Sequence, residues 1–101
     1  MTYYVTVDLT ISDESWIEDY LPNVTALVEK HGGKYLVRTP QVEKFEGAGG
    51  NPDIYVLIEF ASKDGAASFY NDPDYKPYRD ARHAGASGNM YLFAGEDIAA
   101  G

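Results

Sequence analysis

Three charged side chains interrupt otherwise apolar or aromatic runs, and their types could do chemistry: Asp8, Arg38 and Glu59. Arg38 follows Tyr35-Leu36-Val37 and stands just before Thr39-Pro40, where the chain must turn. Its guanidinium is therefore expected at a sheet edge or in a cleft. A guanidinium stays ionised even when desolvated, so it needs an anion. One reading is a structural ion pair with Glu59 or Asp8, within the chain or across a dimer. The other is a cleft in which Arg38 grips the carboxylate of a small molecule with two parallel hydrogen bonds. Glu59 or Asp8 would then be the candidate catalytic base, with a pKa raised by burial.

Tyrosine is the second feature, supplying nine of the fourteen aromatic side chains. It combines apolar area with a polar tip, which suits packing, interfaces and pocket walls. Tyr4, Tyr55 and Tyr75, with Arg79, join Arg38 as ligand-binding candidates. Aromatics can also stack nucleic-acid bases. Sixteen acidic against eight basic residues leave a net charge of −8, which argues against a phosphate backbone or an anionic membrane surface.

His31 suits the negative end of a helix, while His83 beside Arg82 reads as a surface residue and a poor axial haem ligand. No histidine or carboxylate stands at metal-ligand spacing. Gly47-Ala48-Gly49-Gly50 lacks the lysine and helix of a phosphate loop, and no dinucleotide fingerprint is present. No metal, flavin, haem or nicotinamide is expected. The lack of cysteine excludes a disulfide scaffold and a thiol nucleophile.

The elements that must position these residues form a single domain over residues 1–101, with a tail expected to fray from about residue 96. Tyr3 to Ile11 alternates, with Val5, Val7 and Leu9 on one side and Thr6, Asp8 and Thr10 on the other, as a strand does. Ser12-Asp13-Glu14 reads as the start of a helix whose apolar face runs from Trp16 to Val28; Pro22 is expected to kink or divide it, and His31-Gly32-Gly33 to end it. Lys34 to Thr39 is a second strand, with a short extension over Gln41 to Glu46. Ile54 to Phe60, apolar on both sides except at Glu59, is a central strand. Ser62 caps a second helix, which restarts at Asp72-Pro73, is weakened at Pro77 and dissolves over Gly85 to Gly88. Met90 to Phe93 is the last strand.

Strand, helix, strand, strand, helix, strand in a chain this short makes an α+β, ferredoxin-like βαββαβ fold. Its antiparallel sheet carries the helices on one face. The first and third strands are expected to be central and parallel, placing Asp8 and Glu59 at one end of the sheet. The other face must carry Tyr, Leu or Phe from several strands, which predicts a homodimer through that face.

Several segments resemble a known family: Tyr4-Val5-Thr6-Val7, His31-Gly32-Gly33-Lys34-Tyr35-Leu36-Val37-Arg38, Ile58-Glu59-Phe60 and Phe69-Tyr70-Asn71-Asp72-Pro73-Asp74-Tyr75. The pattern is similar to small bacterial proteins catalogued as domain-of-unknown-function family 1330, in the dimeric α/β-barrel superfamily. It runs from Tyr3 to Gly95. The resemblance implies a ferredoxin-like homodimer and carries over no catalytic residues.

These features lead to an expected cytoplasmic homodimer that binds a small carboxylate-bearing or aromatic molecule between sheet and helices, without nucleic acid or membrane. The alternatives are a cofactor-independent enzyme of the dimeric α/β-barrel type, monooxygenase- or isomerase-like in its proton abstraction, and a purely structural or regulatory dimer.

Overall fold

A computed structural model describes residues 1–100. The chain runs β1 (Tyr3–Ile11), α1 (Ile17–Lys30), β2 (Gly33–Thr39), β3 (Ile54–Phe60), α2 (Lys63–Tyr70), α3 (Lys76–Gly85) and β4 (Ala86–Ala94). The strands make one sheet in the order β2-β3-β1-β4, with every neighbouring pair antiparallel. This is the expected α+β, ferredoxin-like fold, with three helical segments in place of two.

β1 and β3 are the central strands, but they run antiparallel. Tyr4 lies opposite Glu59 and Asp8 opposite Tyr55. The reason is topological: in a split βαβ unit the crossover leads from β1 to β2, and β3 returns between them in the opposite sense. Asp8 and Glu59 therefore sit toward opposite ends of the sheet, contrary to the expectation that they share one.

Strand alternation separates the two faces. Val5, Val7 and Leu9 of β1 and Val56, Ile58 and Phe60 of β3 are buried beneath the helices, against Val24, Val28, Phe69 and Tyr75. The other face carries Tyr4, Thr6 and Asp8 from β1, Tyr55, Leu57 and Glu59 from β3, and Tyr91 and Phe93 from β4. No helix covers it.

Several element boundaries move. Ser12 does not cap α1; its hydroxyl donates to the Gly85 carbonyl at 3.1 Å, and α1 begins at Ile17 after a turn in which Asp13 Oδ1 accepts the Ser15 amide at 2.8 Å. Pro22 does not divide α1. It removes one bond, to the Glu18 carbonyl, and both residues face water, which can take the donor's place. Gly32 ends the helix in the left-handed region, at φ 80°. Ser62 Oγ accepts the Gly65 amide at 3.0 Å and caps α2 as expected.

Pro77 lies in the first turn of α3, where its missing N–H costs nothing, so it starts the helix rather than weakening it. Gly85 to Gly88 does not dissolve into loop either. β4 begins at Ala86 because β1 extends to Ile11 and pairs with it, with Leu9 opposite Gly88. The extension at Gln41 to Glu46 forms no strand; that stretch is irregular and bends at Phe45 and Glu46. At the chain end Asp97 closes a turn, its carboxylate accepting the Ala99 amide at 2.9 Å; Gly101 of the expected frayed tail lies outside the described residues. No described helix is long and apolar enough to cross a membrane.

One buried carboxylate ties α1 to the α2–α3 turn. Asp72 Oδ2 meets His31 Nε2 at 2.8 Å and Lys30 Nζ at 3.2 Å, while Oδ1 accepts the Asp74 amide at 2.9 Å. The His31 hydrogen bond first, then the Asp74 amide, hold its carboxyl below the ordinary 3.8, at about 2. A depressed folded-state pKa contributes stability above the unfolded value, and that contribution is lost as pH falls through the folded one. Between pH 3.8 and about 2 the urea midpoint is therefore expected to fall more steeply for the native protein than for Asp72→Asn. Parallel acid limbs for the two proteins would refute this role for Asp72.

Candidate functional site

The helix-covered face does not close completely. Between it and the helices lies a cavity of about 70 Å³ walled by Val7, Leu9, Val56, Ile58, Phe69 and Met90. On this measure a cavity of ~150 Å³ holds a benzene ring, so the enclosed space is smaller than a ring, and a ring-sized body would enter it only in part. Two arginines line it, Arg82 on α3 and Arg38 on β2, together with Trp16, Tyr20, Tyr35 and Tyr75.

Arg82 is the unusual member. It is only 7% exposed, and the ion pairs among the described residues are Lys30–Asp72, His31–Asp72 and Lys76–Asp80. The guanidinium thus lies buried with no carboxylate beside it. Its Nη2 donates to the Tyr75 hydroxyl at 3.4 Å, and its Nε–H has no partner. The Trp16 indole Nε1–H, in the same cavity lining, is likewise buried and unpartnered. Buried donors without acceptors are costly and rare in native proteins.

The two phenols complete this polar end. Tyr20 and Tyr75 oxygens stand 3.1 Å apart, sharing one hydrogen bond that uses one of their two protons. The Tyr20 ring also packs edge-on against Trp16, with centroids 5.0 Å apart. Burial first, then the neighbouring Tyr75, push the Tyr20 phenol well above its ordinary range, Arg82 acting in the opposite sense. Tyr20 is therefore a neutral donor at physiological pH. The lining at this end holds an ionised guanidinium, an indole and two phenols, and no carboxylate or imidazole. Such a set suits an oxygen anion or a carbonyl.

Local structure accounts for each position. Tyr75 and Arg82 are seven residues apart, two helical turns, and so share the inner face of α3. The indole of Trp16 packs on Gly85, where an added Cβ would come within 2.5 Å of Nε1 and 2.8 Å of the Asp13 carbonyl. Gly85 also accepts the Ser12 and Asp13 amides at 2.9 and 3.0 Å, which holds the approach to α1 against α3.

Arg38 reaches the cavity through an irregularity. Tyr35 lies opposite Ile58 but Val37 opposite Leu57, so Leu36 is an extra residue in β2. This bulge reverses the alternation and puts Arg38, opposite Val56, on the same face as Tyr35. The exposed guanidinium lies over the Tyr35 ring at 3.8 Å, and its Nη1 donates to Thr25 Oγ1 at 2.8 Å. Burial pushes the Tyr35 phenol up to about 12, with Arg38 lowering it, so that ring is neutral beneath the cation.

Of the expected site residues, the cavity therefore brings together Arg38 and Tyr75. Asp8, Glu59, Tyr4 and Tyr55 belong to the open face, where Tyr4 packs against Phe93 at 5.7 Å between centroids. Neither Asp8 nor Glu59 pairs with Arg38 within the chain, because the bulge turns Arg38 to the other face. Arg79 lies outside the lining; it donates to the Tyr70 carbonyl at 3.0 Å and sits 4.9 Å from the Tyr70 ring centre. Arg82, Trp16 and Tyr20 were not among the expected site residues. The available signal was a charge on the aromatic stripe of α3, at helical spacing from Tyr75 and Tyr78.

Comparison with solved structures places this arrangement among known folds. A protein of unknown function from Rhodopseudomonas palustris superposes with a TM-score of 0.78 at 14% identity, over 95% of this chain and 83% of its own. The cofactor-independent oxygenase SnoaB from Streptomyces nogalater gives 0.66 at 14% identity, over 99% and 98%. A ferredoxin-like dabb family protein from Mesorhizobium loti gives 0.64 at 12%, over 95% and 98%. Likeness at such identities establishes the fold alone. No curated protein matches the chain. Residues 2–96 match the family described as Domain of unknown function (DUF1330), and the chain belongs to that family.

Proposed function

We propose that this protein is a homodimeric receptor for a small organic acid, held in the cavity between sheet and helices. The observation that carries the reading is Arg82: a buried cation with no carboxylate of its own and an unpartnered Nε–H, in the same cavity lining as the unpartnered indole N–H of Trp16. An acid with an apolar body satisfies both halves of the cavity at once. Its carboxylate takes the guanidinium, indole and phenol donors, and its body lies against Val7, Val56 and Met90. The lining favours binding over proton abstraction, since it supplies donors and no carboxylate or imidazole to take a proton.

The open sheet face supports the dimer. Tyr91 and Phe93 are 62% and 45% exposed there, joined by Tyr55 and Val37. An apolar face of this kind suits a second copy and an interface in the standard class of ~1,600 Å² or above. Light scattering at micromolar concentration is expected to give twice the 11.1 kDa chain mass, and Tyr91→Glu is expected to shift it toward the monomer. A monomeric mass for the native protein rules the dimer out.

The test of the site uses stability and binding together. Replacing a buried, uncompensated cation by an apolar side chain of similar length removes a desolvation penalty. Arg82→Met is expected to stabilise the unliganded protein by ~1–2 kcal/mol while abolishing the thermal shift that benzoate or hexanoate gives the native protein. A variant that loses stability, with no carboxylate shifting the native protein, would assign Arg82 to structure instead.

A further inference from the structure

We infer that the ligand is a diacid: a small molecule with two acidic groups, one held by Arg82 and Trp16 inside the cavity and the other by Arg38 at its mouth. The inference rests on the reading of the cavity given above and adds the second charge.

Arg38 and Arg82 line the same cavity, one exposed and one buried, and neither pairs with a carboxylate among the described residues. In a chain with sixteen acids and eight basic residues, leaving Arg82 buried without an anion is a costly arrangement, and the exposed Arg38 adds a second free cation at the same cavity. Arg38 is also held in place. Thr25 spends its own hydroxyl proton on the Leu21 carbonyl at 2.6 Å, which leaves its oxygen to accept from Arg38 Nη1 at 2.8 Å. The Tyr35 ring fixes the guanidinium plane from the other side. One of five donors is engaged by Thr25, and the rest remain for a second oxygen anion.

The bulge points the same way. Without the extra residue at Leu36, Arg38 would alternate onto the open face, away from Arg82. The apolar wall between the two cations selects the body of the molecule. A short methylene chain suits the enclosed volume, a single ring would enter only in part from the mouth, and a long polar linker does not suit the apolar wall.

Calorimetric titration at pH 7 with matched pairs tests this: benzoate against terephthalate and its ring isomers, and hexanoate against adipate. For the native protein at least one diacid is expected to bind ~10–100-fold more tightly than its monoacid, the size of one charge-assisted contact. Arg38→Gln is expected to remove that advantage, so that diacid and monoacid bind the variant alike, with Arg38→Lys intermediate because it keeps the charge and loses the fork. Arg82→Met is expected to remove binding of both. Equal affinity for mono- and diacids, or an Arg38→Gln variant that loses both alike, overturns the inference and leaves the single-acid reading standing. No binding of either class to the native protein overturns both.

Discussion

A guanidinium buried without an anion constrains everything around it. Arg82 cannot shed its charge, yet its guanidinium meets the Tyr75 hydroxyl at 3.4 Å and keeps an unpartnered Nε–H in the lining of the cavity. Tyr75 is fully buried and acts as the hub: it accepts from Arg82, shares a hydrogen bond with Tyr20 and packs against Phe69 with centroids 4.5 Å apart. Its position follows from the turn before α3. Asp72 accepts the amides of Asp74 and Tyr75, and through His31 and Lys30 it anchors that turn to the end of α1. The staple at Asp72 and the polar end of the cavity are thus parts of one construction, joined by three residues of chain.

The sheet divides two tasks between its faces. The helix-covered face holds the core and the cavity; the other leaves Tyr55, Tyr91 and Phe93 exposed. A single extra residue at Leu36 moves one cation from the second set to the first. Bulges that re-aim a side chain at a functional site are a recurrent use of this irregularity, and here it disrupts the pairing of an edge strand, where the local cost is low.

Much of the fold was legible in the sequence because it depends on local periodicity. The alternation of Val5, Val7 and Leu9, the apolar stripe from Trp16 to Val28, and the two-sided apolar run at Ile54 to Phe60 each identify their element, and element order then gives the architecture. Strand direction was misread at β1 and β3 because it depends on how crossovers skip a strand, which no local pattern encodes. Pro77 has two opposite meanings, helix breaker or helix starter, and the boundary that chooses between them is set by the Asp72 turn. Arg38 was recognisable as a charge ending an apolar run, but its facing depended on a bulge that strict alternation conceals. Arg82 was harder. Its seven-residue spacing from Tyr75 was readable, yet nothing local reveals that the acids of an acidic chain all lie elsewhere.

The indole of Trp16, the chain's one tryptophan, provides the most direct measurement. Its side-chain N–H gives a single, unambiguous resonance in a nitrogen-15-labelled sample, and that donor has no partner among the described residues. Titration with benzoate is expected to move this resonance downfield in a saturable manner, together with the Arg82 Nε–H, as a carboxylate oxygen accepts from both. An indole resonance that stays fixed while the protein binds the acid elsewhere, or that is unmoved by any carboxylate, would contradict an anion-binding role for the buried cation.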